Sequence, residues 1–404
     1  MNAKPWLHVV GIGDGGLVSL SAPARAAIEA SEVLVGGERH LAMVPEHPGE
    51  RLVWRRPLEA TLADLEALRG RRVAVLASGD PMCFGVGELL ARHFALSELQ
   101  VLPAPSTFSL VCARLGWSLP EVTCLSVHAR PLSTLHRHLA PGARLVVLSE
   151  DGVTPNLIAG LLADVGFGPS RVLVFEHLDG AAERLTEGTA SSWRERDFER
   201  LNAVAIECVA AAGATVYGTA PGLPDQAFEA DPGTLTKREV RAATLARLMP
   251  LPGQRLWDVG AGSGAIAIEW LRTTNRGRAI AVEQNHSRCA TIARNAERLG
   301  TPELTVVHGR APDSLADLPS PDAVFIGGGV AEPGMIDACW RALPPGGRLV
   351  ANVVTVEGER MLLDWQLRHG GELSRIEVAR LDRLVDYRAW RPAMAVVQLA
   401  SCKP

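Results

Sequence analysis

At 404 residues the chain exceeds one ordinary hydrophobic core, and two domains of roughly 200 residues each fit the common size range. Its 47% hydrophobic and 21% charged content is that of a soluble globular protein, and a formal charge of −4 sets nucleic acid aside as the main partner. No apolar run reaches bilayer length and the opening MNAKPWLHVVGIG lacks a signal-peptide layout, so a cytoplasmic protein with no membrane partner is expected.

The first half alternates short apolar strands, expected over 6–12, 33–35, 73–77 and 100–102, with helices over 21–30, 58–68 and 87–94. This βα rhythm implies a largely parallel sheet whose function sits on the loops after the strands. A second block follows, with strands near 121–127, 144–148 and 171–176, a helix at 155–165, a charge-rich stretch at 189–200 and a strand at 202–208. Small residues at 210–214 and a Gly/Pro-rich run at 218–224 place a domain boundary near residue 212. Beyond it a helix over 236–248 precedes strands at 255–259, 279–283, 304–308, 323–326 and 348–354. Helices at 265–272, 287–299, 332–342 and 357–369 intervene, giving a doubly wound sheet in which each strand is followed by a helix. Residues 373–399 resemble a hairpin of strands closing the sheet edge. The seven cysteines are scattered without a C-x-x-C pair, which points to buried thiols and not to a metal centre.

Asp258-Val-Gly-Ala-Gly-Ser-Gly264 lies between a predicted strand and a predicted helix, where glycines let the backbone close on a ligand. Glu283 ends the next strand, about 20 residues on, where a carboxylate accepts hydrogen bonds from both ribose hydroxyls of a nucleoside. Gly260, Gly262 and Ala265 also fit the G-x-G-x-x-A pattern of dehydrogenases, so hydride transfer and a turn without ligand stand as alternatives. Gly264, Ala311-Pro312-Asp313 after the third strand, and the turn Leu343-Pro-Pro-Gly-Gly-Arg-Leu349 before the fifth favour an S-adenosylmethionine (SAM) methyltransferase.

Further motifs narrow this half: Gly222-Leu-Pro-Asp225, Leu235-Thr-Lys-Arg-Glu-Val-Arg241, Gly309-Arg-Ala-Pro-Asp-Ser-Leu315 and Ile326-Gly-Gly-Gly329. With the glycine loop, and over most of residues 218–400, they resemble the carbon-15 precorrin methyltransferases of the cobalamin pathway, which also decarboxylate. The resemblance implies a Rossmann-like class I SAM methyltransferase domain in which Thr236, Gly260, Ala261, Gly262, Ser263, Gly264, Glu283 and Ala311 contact SAM. Family members often carry Asp at the ribose position, where this chain has Glu283.

The N-terminal half carries Val10-Gly-Ile-Gly-Asp-Gly-Gly16, Leu76-Ala-Ser-Gly-Asp-Pro-Met82 and Leu102-Pro-Ala-Pro-Ser-Thr107, each directly after a predicted strand. Taken singly, Asp80-Pro81 and Ser106-Thr107 are equally readable as helix caps. Together, and with Leu125-Ser-Val-His-Ala-Arg130, they resemble the carbon-5 precorrin branch of the tetrapyrrole methylase superfamily over about residues 5–208. That resemblance implies a two-lobed fold with SAM in the cleft between lobes, held by Gly79, Asp80, Met82, Ser106 and Thr107. Asp14 departs from the proline that many relatives have in the first loop. His128 reads either as a substrate-facing group or as a structural residue at a strand end.

Both halves together resemble the precorrin-6Y C(5,15)-methyltransferase (decarboxylating) family. The resemblance implies an α/β enzyme with a tetrapyrrole methylase domain at 1–211 for carbon 5. A SAM methyltransferase domain at 212–404 would serve carbon 15 and remove carbon dioxide from the carbon-12 acetate. It implies one SAM site per domain, a precorrin-6B substrate and a homo-oligomer, with metal-free and cobalt-bearing substrates both open. Arginines suit the substrate's carboxylates, and the candidates are Arg55, Arg56, Arg380, Arg383, Arg388 and Arg391; solvated surface charge is the competing reading. Asn352, ending the fifth strand, is the remaining candidate to face substrate. Two rival readings stay open: one half is a binding or assembly module, or the C-terminal half methylates RNA or protein.

Overall fold

The computed structural model describes residues 5–55 and 57–404, and Arg56 lies outside that range. The chain divides into two compact units, one reaching Arg130 and resuming from Ala140 to Thr215, the other made of Pro131–Leu139 and Val216–Pro404.

The first unit begins with β1 (Leu7–Ile12), α1 (Ala22–Glu29), β2 (Val33–Gly36), α2 (Glu38–Ala42), β3 (Glu50–Val53), α3 (Glu59–Ala67), β4 (Val73–Ser78), α4 (Val86–His93), β5 (Leu99–Leu102) and α5 (Thr107–Leu115). Its sheet runs β3-β2-β4-β1-β5 with every pairing parallel. The two-residue alternation of β1 explains why the sheet is covered on both faces. Leu7 and Val9 pack with Val33, Val73 and Leu65 on one side, while Val10 and Ile12 meet Ile28, Leu34 and Leu76 on the other. α1 is capped by Ser21, whose hydroxyl accepts from Ala24 N at 3.4 Å.

The unit continues with β6 (Val122–Ser126), β7 (Arg144–Leu148), α6 (Thr154–Asp164), β8 (Arg171–Glu176), β9 (Arg184–Thr189) and β10 (Asn202–Glu207). This second sheet, ordered β6-β7-β10-β8-β9, is mixed: only β6–β7 is parallel. β9 has no counterpart in the sequence reading. It is a polar edge strand, fixed by cross-strand charge: Arg184 donates to the buried Glu176 at 2.7 and 2.6 Å, and Arg171 to Glu187 at 2.6 and 3.0 Å.

The second unit contains α7 (Arg238–Leu248), β11 (Arg255–Val259), α8 (Ala265–Thr273), β12 (Arg278–Glu283), α9 (His286–Arg298), β13 (Thr305–His308), β14 (Ala323–Ile326), α10 (Met335–Ala342), β15 (Arg348–Val353), α11 (Val356–His369), β16 (Glu372–Ile376), β17 (Ala379–Leu384), β18 (Tyr387–Pro392) and β19 (Val396–Cys402). Its seven-stranded sheet is ordered β13-β12-β11-β14-β15-β19-β16, with β11 to β15 parallel and β19 antiparallel to both neighbours. Two expectations are corrected. β13 is followed not by an α-helix but by a short 3-10 turn at Asp313–Leu315. The C-terminal stretch is not one edge hairpin: β19 wedges between β15 and β16, while β17 and β18 pair with each other. Among the described residues no helix is long and apolar enough to cross a membrane.

Trp257, Trp270 and Trp365 are among the largest fully enclosed side chains of this unit. Large aromatic side chains contribute about 1.5–3 kcal/mol or more each when buried. A charged staple crosses the same core. Arg241, fully buried on α7, donates to Glu269 of α8 at 2.8 Å and to Asp225 at 2.9 Å, and its guanidinium lies 4.8 Å from the Phe228 ring centre. Glu269 in turn accepts from the backbone N–H groups of Gly222 (2.6 Å) and Leu223 (3.0 Å). The Gly-x-Pro-Asp and Glu-Val-Arg motifs are thus held to each other, and their conspicuous charges serve the frame under the loop at 233–237.

Candidate functional site

The loop from β11 into α8 turns through three left-handed glycines, with φ of +69° at Gly260, +59° at Gly262 and +75° at Gly264. Space forbids side chains at the first two: a Cβ on Gly260 would meet Gly328 N at 2.8 Å, and one on Gly262 would meet Thr234 O at 2.7 Å. Glu283, 4% exposed at the end of β12, closes the loop from the other side. Its Oε2 accepts from Gly262 N at 2.9 Å and its Oε1 from Asn285 N at 2.9 Å. Each oxygen keeps a lone pair beyond these bonds.

Glu283 faces a cavity of about 590 Å³, a size suited to a small-molecule cofactor or substrate. The topology brings Thr236, Gly260, Gly262, Glu283, Ala311 and Asn352 onto its wall. Ala261, Ser263 and Gly264 stand off it. Ala261 packs toward the core, the buried Ser263 offers its carbonyl to Asn295 Nδ2 at 3.0 Å, and Gly264 abuts Ile292. Thr236 precedes α7, whose N-cap is Lys237, so the helix begins two residues later than its sequence pattern suggests. The wall also includes Thr234 and Gly327–Gly329, and an apolar flank of Ile376, Val378, Met394 and Val396 that no sequence signal marked.

Asn352 is held rigidly. Its amide donates to Thr244 Oγ1 at 2.9 Å, and its carbonyl oxygen accepts from the buried Gln398 at 2.9 Å. Gln398 also donates to Thr244 Oγ1 at 3.1 Å. The candidate arginines do not ring this cavity. Arg380 is drawn to Asp225 (3.1 Å) and Glu239 (2.6 Å), Arg391 to Asp382 (3.1 Å), and Arg383 faces Arg388 across the β17–β18 pair. Arg380 and Arg391 line a smaller adjoining recess of about 370 Å³. The basic groups on the main wall are Lys237, Arg288 and Arg310. In the first unit Arg55 is paired with Asp64 at 2.7 Å.

Beneath the glycine loop, Asp258 is 1% exposed; its Oδ2 accepts from Ala267 N at 3.1 Å and its Oδ1 has no partner among the described residues. Burial pushes this carboxyl from 3.8 up to about 7, with the Glu283 charge adding to the effect. Between those values the native state holds a proton that the unfolded state has lost, so stability is greatest at low pH and declines as pH rises toward about 7. Urea unfolding of the protein between pH 5 and 8 should therefore show a loss of at most ~1.4 kcal/mol per pH unit from this group. Asp258→Asn should flatten that slope; an unchanged slope would remove the assignment.

In the first unit the three motif loops converge at the C-terminal edge of the parallel sheet. A Cβ on Gly11 would lie 1.9 Å from Gly79 O, and Ala104 N donates to that same oxygen at 3.2 Å. Gly79 is left-handed at φ +52°. Asp80 Oδ1 accepts from Met82 N at 2.9 Å, capping a turn and not α4, whose N-cap is Gly85. Ser106 is the N-cap of α5, its Oγ accepting from Ser109 N at 3.1 Å, and Thr107 opens the helix. The Met82 side chain is exposed. His128 is also exposed, its Nδ1 3.1 Å from Glu150 Oε2 at the end of β6. A group that no sequence motif marks surrounds the first glycine loop: Asp14 is bound by Arg39 Nη1 at 3.0 Å and by His177 Nδ1 at 2.9 Å.

Residues 6–193 match the family model of tetrapyrrole (corrin/porphyrin) methylases, and residues 226–403 match that of a precorrin methyltransferase domain. The chain is 48% identical over 396 residues to a precorrin-6Y C(5,15)-methyltransferase [decarboxylating] of a Sinorhizobium species, covering 98% of this chain and 96% of the relative. Shorter relatives match about half of it. A cobalt-precorrin-7 C(5)-methyltransferase of Salmonella typhimurium is 32% identical over 200 residues, 50% of this chain and 98% of the relative. A Pyrobaculum calidifontis protein named a probable cobalt-precorrin-6B C(15)-methyltransferase (decarboxylating) is 38% identical over 173 residues, 41% of this chain and 88% of the relative.

Proposed function

The chain belongs to the decarboxylating precorrin-6Y C(5,15)-methyltransferase family of cobalamin biosynthesis, and from that premise we propose how its two units share the SAM-dependent chemistry. The N-terminal domain, 1–211, is a two-lobed tetrapyrrole methylase that methylates carbon 5 of the macrocycle. The C-terminal domain, 212–404, is a Rossmann-like class I methyltransferase that methylates carbon 15 and removes the carbon-12 acetate carboxyl as carbon dioxide. Each has its own SAM site, the substrate is precorrin-6B, and the working form is a cytoplasmic homo-oligomer.

The observation that carries this reading is Glu283, a buried carboxylate with free lone pairs on a cavity whose floor admits only glycine at Gly260. The carboxylate's remaining acceptor capacity fits the hydroxyls of a ribose, and Gly260 leaves room for a cofactor to lie against the backbone. The β13-β12-β11-β14-β15-β19-β16 order supports the class I assignment. The half-length relatives support the division, since their names assign carbon 5 and carbon 15 to separate proteins. The intermediates in those names, cobalt-precorrin-6B for carbon 15 and cobalt-precorrin-7 for carbon 5, favour carbon 15 first.

SAM, when bound, supplies an activated methyl group. The meso carbons of a reduced tetrapyrrole are enamine-like and already nucleophilic, so the residues chiefly need to align them, an effect worth up to ~7–11 kcal/mol. Glu283 would hold the ribose, and Asn352, fixed by Thr244 and Gln398, would offer its remaining amide hydrogen to the macrocycle. The flank of Ile376, Val378, Met394 and Val396 covers the ring and excludes water, raising the energy of the acetate carboxylate beside it. The conjugated imines of the macrocycle accept the electron pair released with carbon dioxide.

Mass spectrometry of the products tests the assignment, using metal-free and cobalt-loaded precorrin-6B. The unaltered chain should add two methyl groups and release one carbon dioxide. Gly79→Val, which places a side chain 3.1 Å from Pro105 O, should stop after one methyl and the loss of carbon dioxide. If that variant still adds both methyls, the N-terminal unit does not serve carbon 5.

A further inference from the structure

We propose that His177 accepts the proton released when carbon 5 is methylated, and that Asp14 is its positioning residue; this rests on assigning carbon 5 to the N-terminal unit. The pair is defined by geometry. Asp14 follows β1 in the first glycine loop, and His177 follows β8 in the second sheet. His177 Nδ1 stands 2.9 Å from Asp14 Oδ2, and its Nε2 has no partner among the described residues. The other carboxylate oxygen takes Arg39 Nη1 at 3.0 Å, and Arg39 Nη2 donates to Ser78 Oγ at 3.1 Å, one residue before Gly79. The chain His177–Asp14–Arg39–Ser78 therefore leads to the edge where the three motif loops converge.

The surroundings are those of a working group. The side chains are 29% (His177) and 17% (Asp14) exposed, enough for a ligand to reach the ring while its partner stays sheltered. The loop bearing the histidine holds two non-glycine residues in the left-handed region, His177 at φ +49° and Asp179 at +64°. Such conformations persist where packing enforces them and gather at functional sites. Packing is tight here: a Cβ on Gly180 would lie 2.5 Å from Asp14 Oδ2, and one on Gly15 would lie 2.9 Å from Asp179 O. A carboxylate on Nδ1 fixes the tautomer with Nε2 as acceptor, the arrangement a general base needs.

The chemistry calls for such a base. The enamine π pair of carbon 5 forms the bond to the incoming methyl carbon, and the methyl–sulfur bond breaks with its pair left on sulfur. Carbon 5 then carries both a methyl and its original hydrogen. Loss of that hydrogen as a proton to His177 Nε2 returns the C–H pair to the conjugated system, and the imidazolium later releases the proton to water. No oxidant or further reactant is needed.

The test uses the full chain with His177→Gln and His177→Asn, whose amides still donate to Asp14, and with Asp14→Asn. Expected are a fall of at least a hundredfold in the rate of carbon-5 methylation for the histidine variants and about tenfold for Asp14→Asn. Affinity for SAM and the KM for the macrocycle should stay within about twofold. Deuterium at carbon 5 should produce a larger primary isotope effect in the variants, and imidazole should partly restore His177→Ala. Carbon-5 methylation at an undiminished rate in both His177→Gln and His177→Asn overturns the proposal, as does loss that tracks SAM affinity or thermal stability without an isotope effect. If the unaltered chain itself adds no methyl at carbon 5, the assignment of the N-terminal unit has failed instead.

Discussion

Glu283→Gln is expected to weaken SAM binding to the C-terminal unit about a hundredfold and to abolish carbon-15 methylation at physiological SAM, with N-terminal binding unchanged. Both carboxylate oxygens already accept a backbone N–H, from Gly262 and Asn285. An amide in the same place turns one acceptor into a donor, so one buried N–H faces another. That mismatch burdens the free and the loaded protein alike, whereas losing charge-assisted bonding to the ribose hydroxyls costs binding about 1.5–3 kcal/mol. The upper end of that range corresponds to about two decades in Kd. Glu283→Asp keeps both acceptors on a shorter arm and should lose much less. Calorimetric titration of SAM into the full chain reads both sites at once; two sites of unchanged affinity in Glu283→Gln would remove Glu283 from the cofactor site.

Much of the frame was legible because its strands are enclosed on both faces. β1, β4, β11 and β14 are apolar runs bounded by glycine or polar turns, and such runs mark themselves. β3 and β9 were invisible for the opposite reason. Edge strands with one partner carry mostly exposed, polar residues, and the register of β9 is held by Arg171 of β8 and Arg184 of β9, each reaching a glutamate on the other strand. The wedge of β19 between β15 and β16 was equally hidden, since a strand's own pattern does not say which neighbours it will find.

The site divides along the same line. Gly260, Gly262 and Glu283 were readable because the loop and the next strand end lie close in sequence and obey fixed spacing. The apolar flank from Ile376 to Val396 was not, because chain folding alone brings it beside Asn352. Charges were the least legible. Arg380 reads either as a carboxylate receptor or as a solvated surface charge until the fold sets it against Asp225 and Glu239. Conversely, Asp14 reads as a flaw in a glycine motif until His177 arrives from a strand end far along the chain.

Arg241→Met should be the most damaging single change to stability, costing the C-terminal unit about 3–5 kcal/mol. The guanidinium is fully enclosed and joins Glu269, Asp225 and the carbonyls of Leu223 and Thr236. Methionine fills much of the volume but leaves Glu269, 1% exposed, with only the Gly222 and Leu223 N–H groups to offset its charge. Asp225 fares better, since Arg238 N and Arg380 still reach it. At about 2–4 °C per kcal/mol for a domain of this size, the C-terminal transition should move down by roughly 10 °C in calorimetry while the N-terminal one stays in place. Activity should follow at carbon 15, because Arg241 holds the carbonyl of Thr236 on the cavity wall. Arg241→Lys keeps the charge without the forked geometry and should fall between. In Arg241→Met/Glu269→Leu the stranded charge is gone, and part of the lost stability should return despite two unpaired backbone donors. A loss below about 1 kcal/mol in Arg241→Met would mean that the motif charges do not hold the frame, and that Thr236 and Lys237 owe their place on the cavity to the apolar packing of α7 alone.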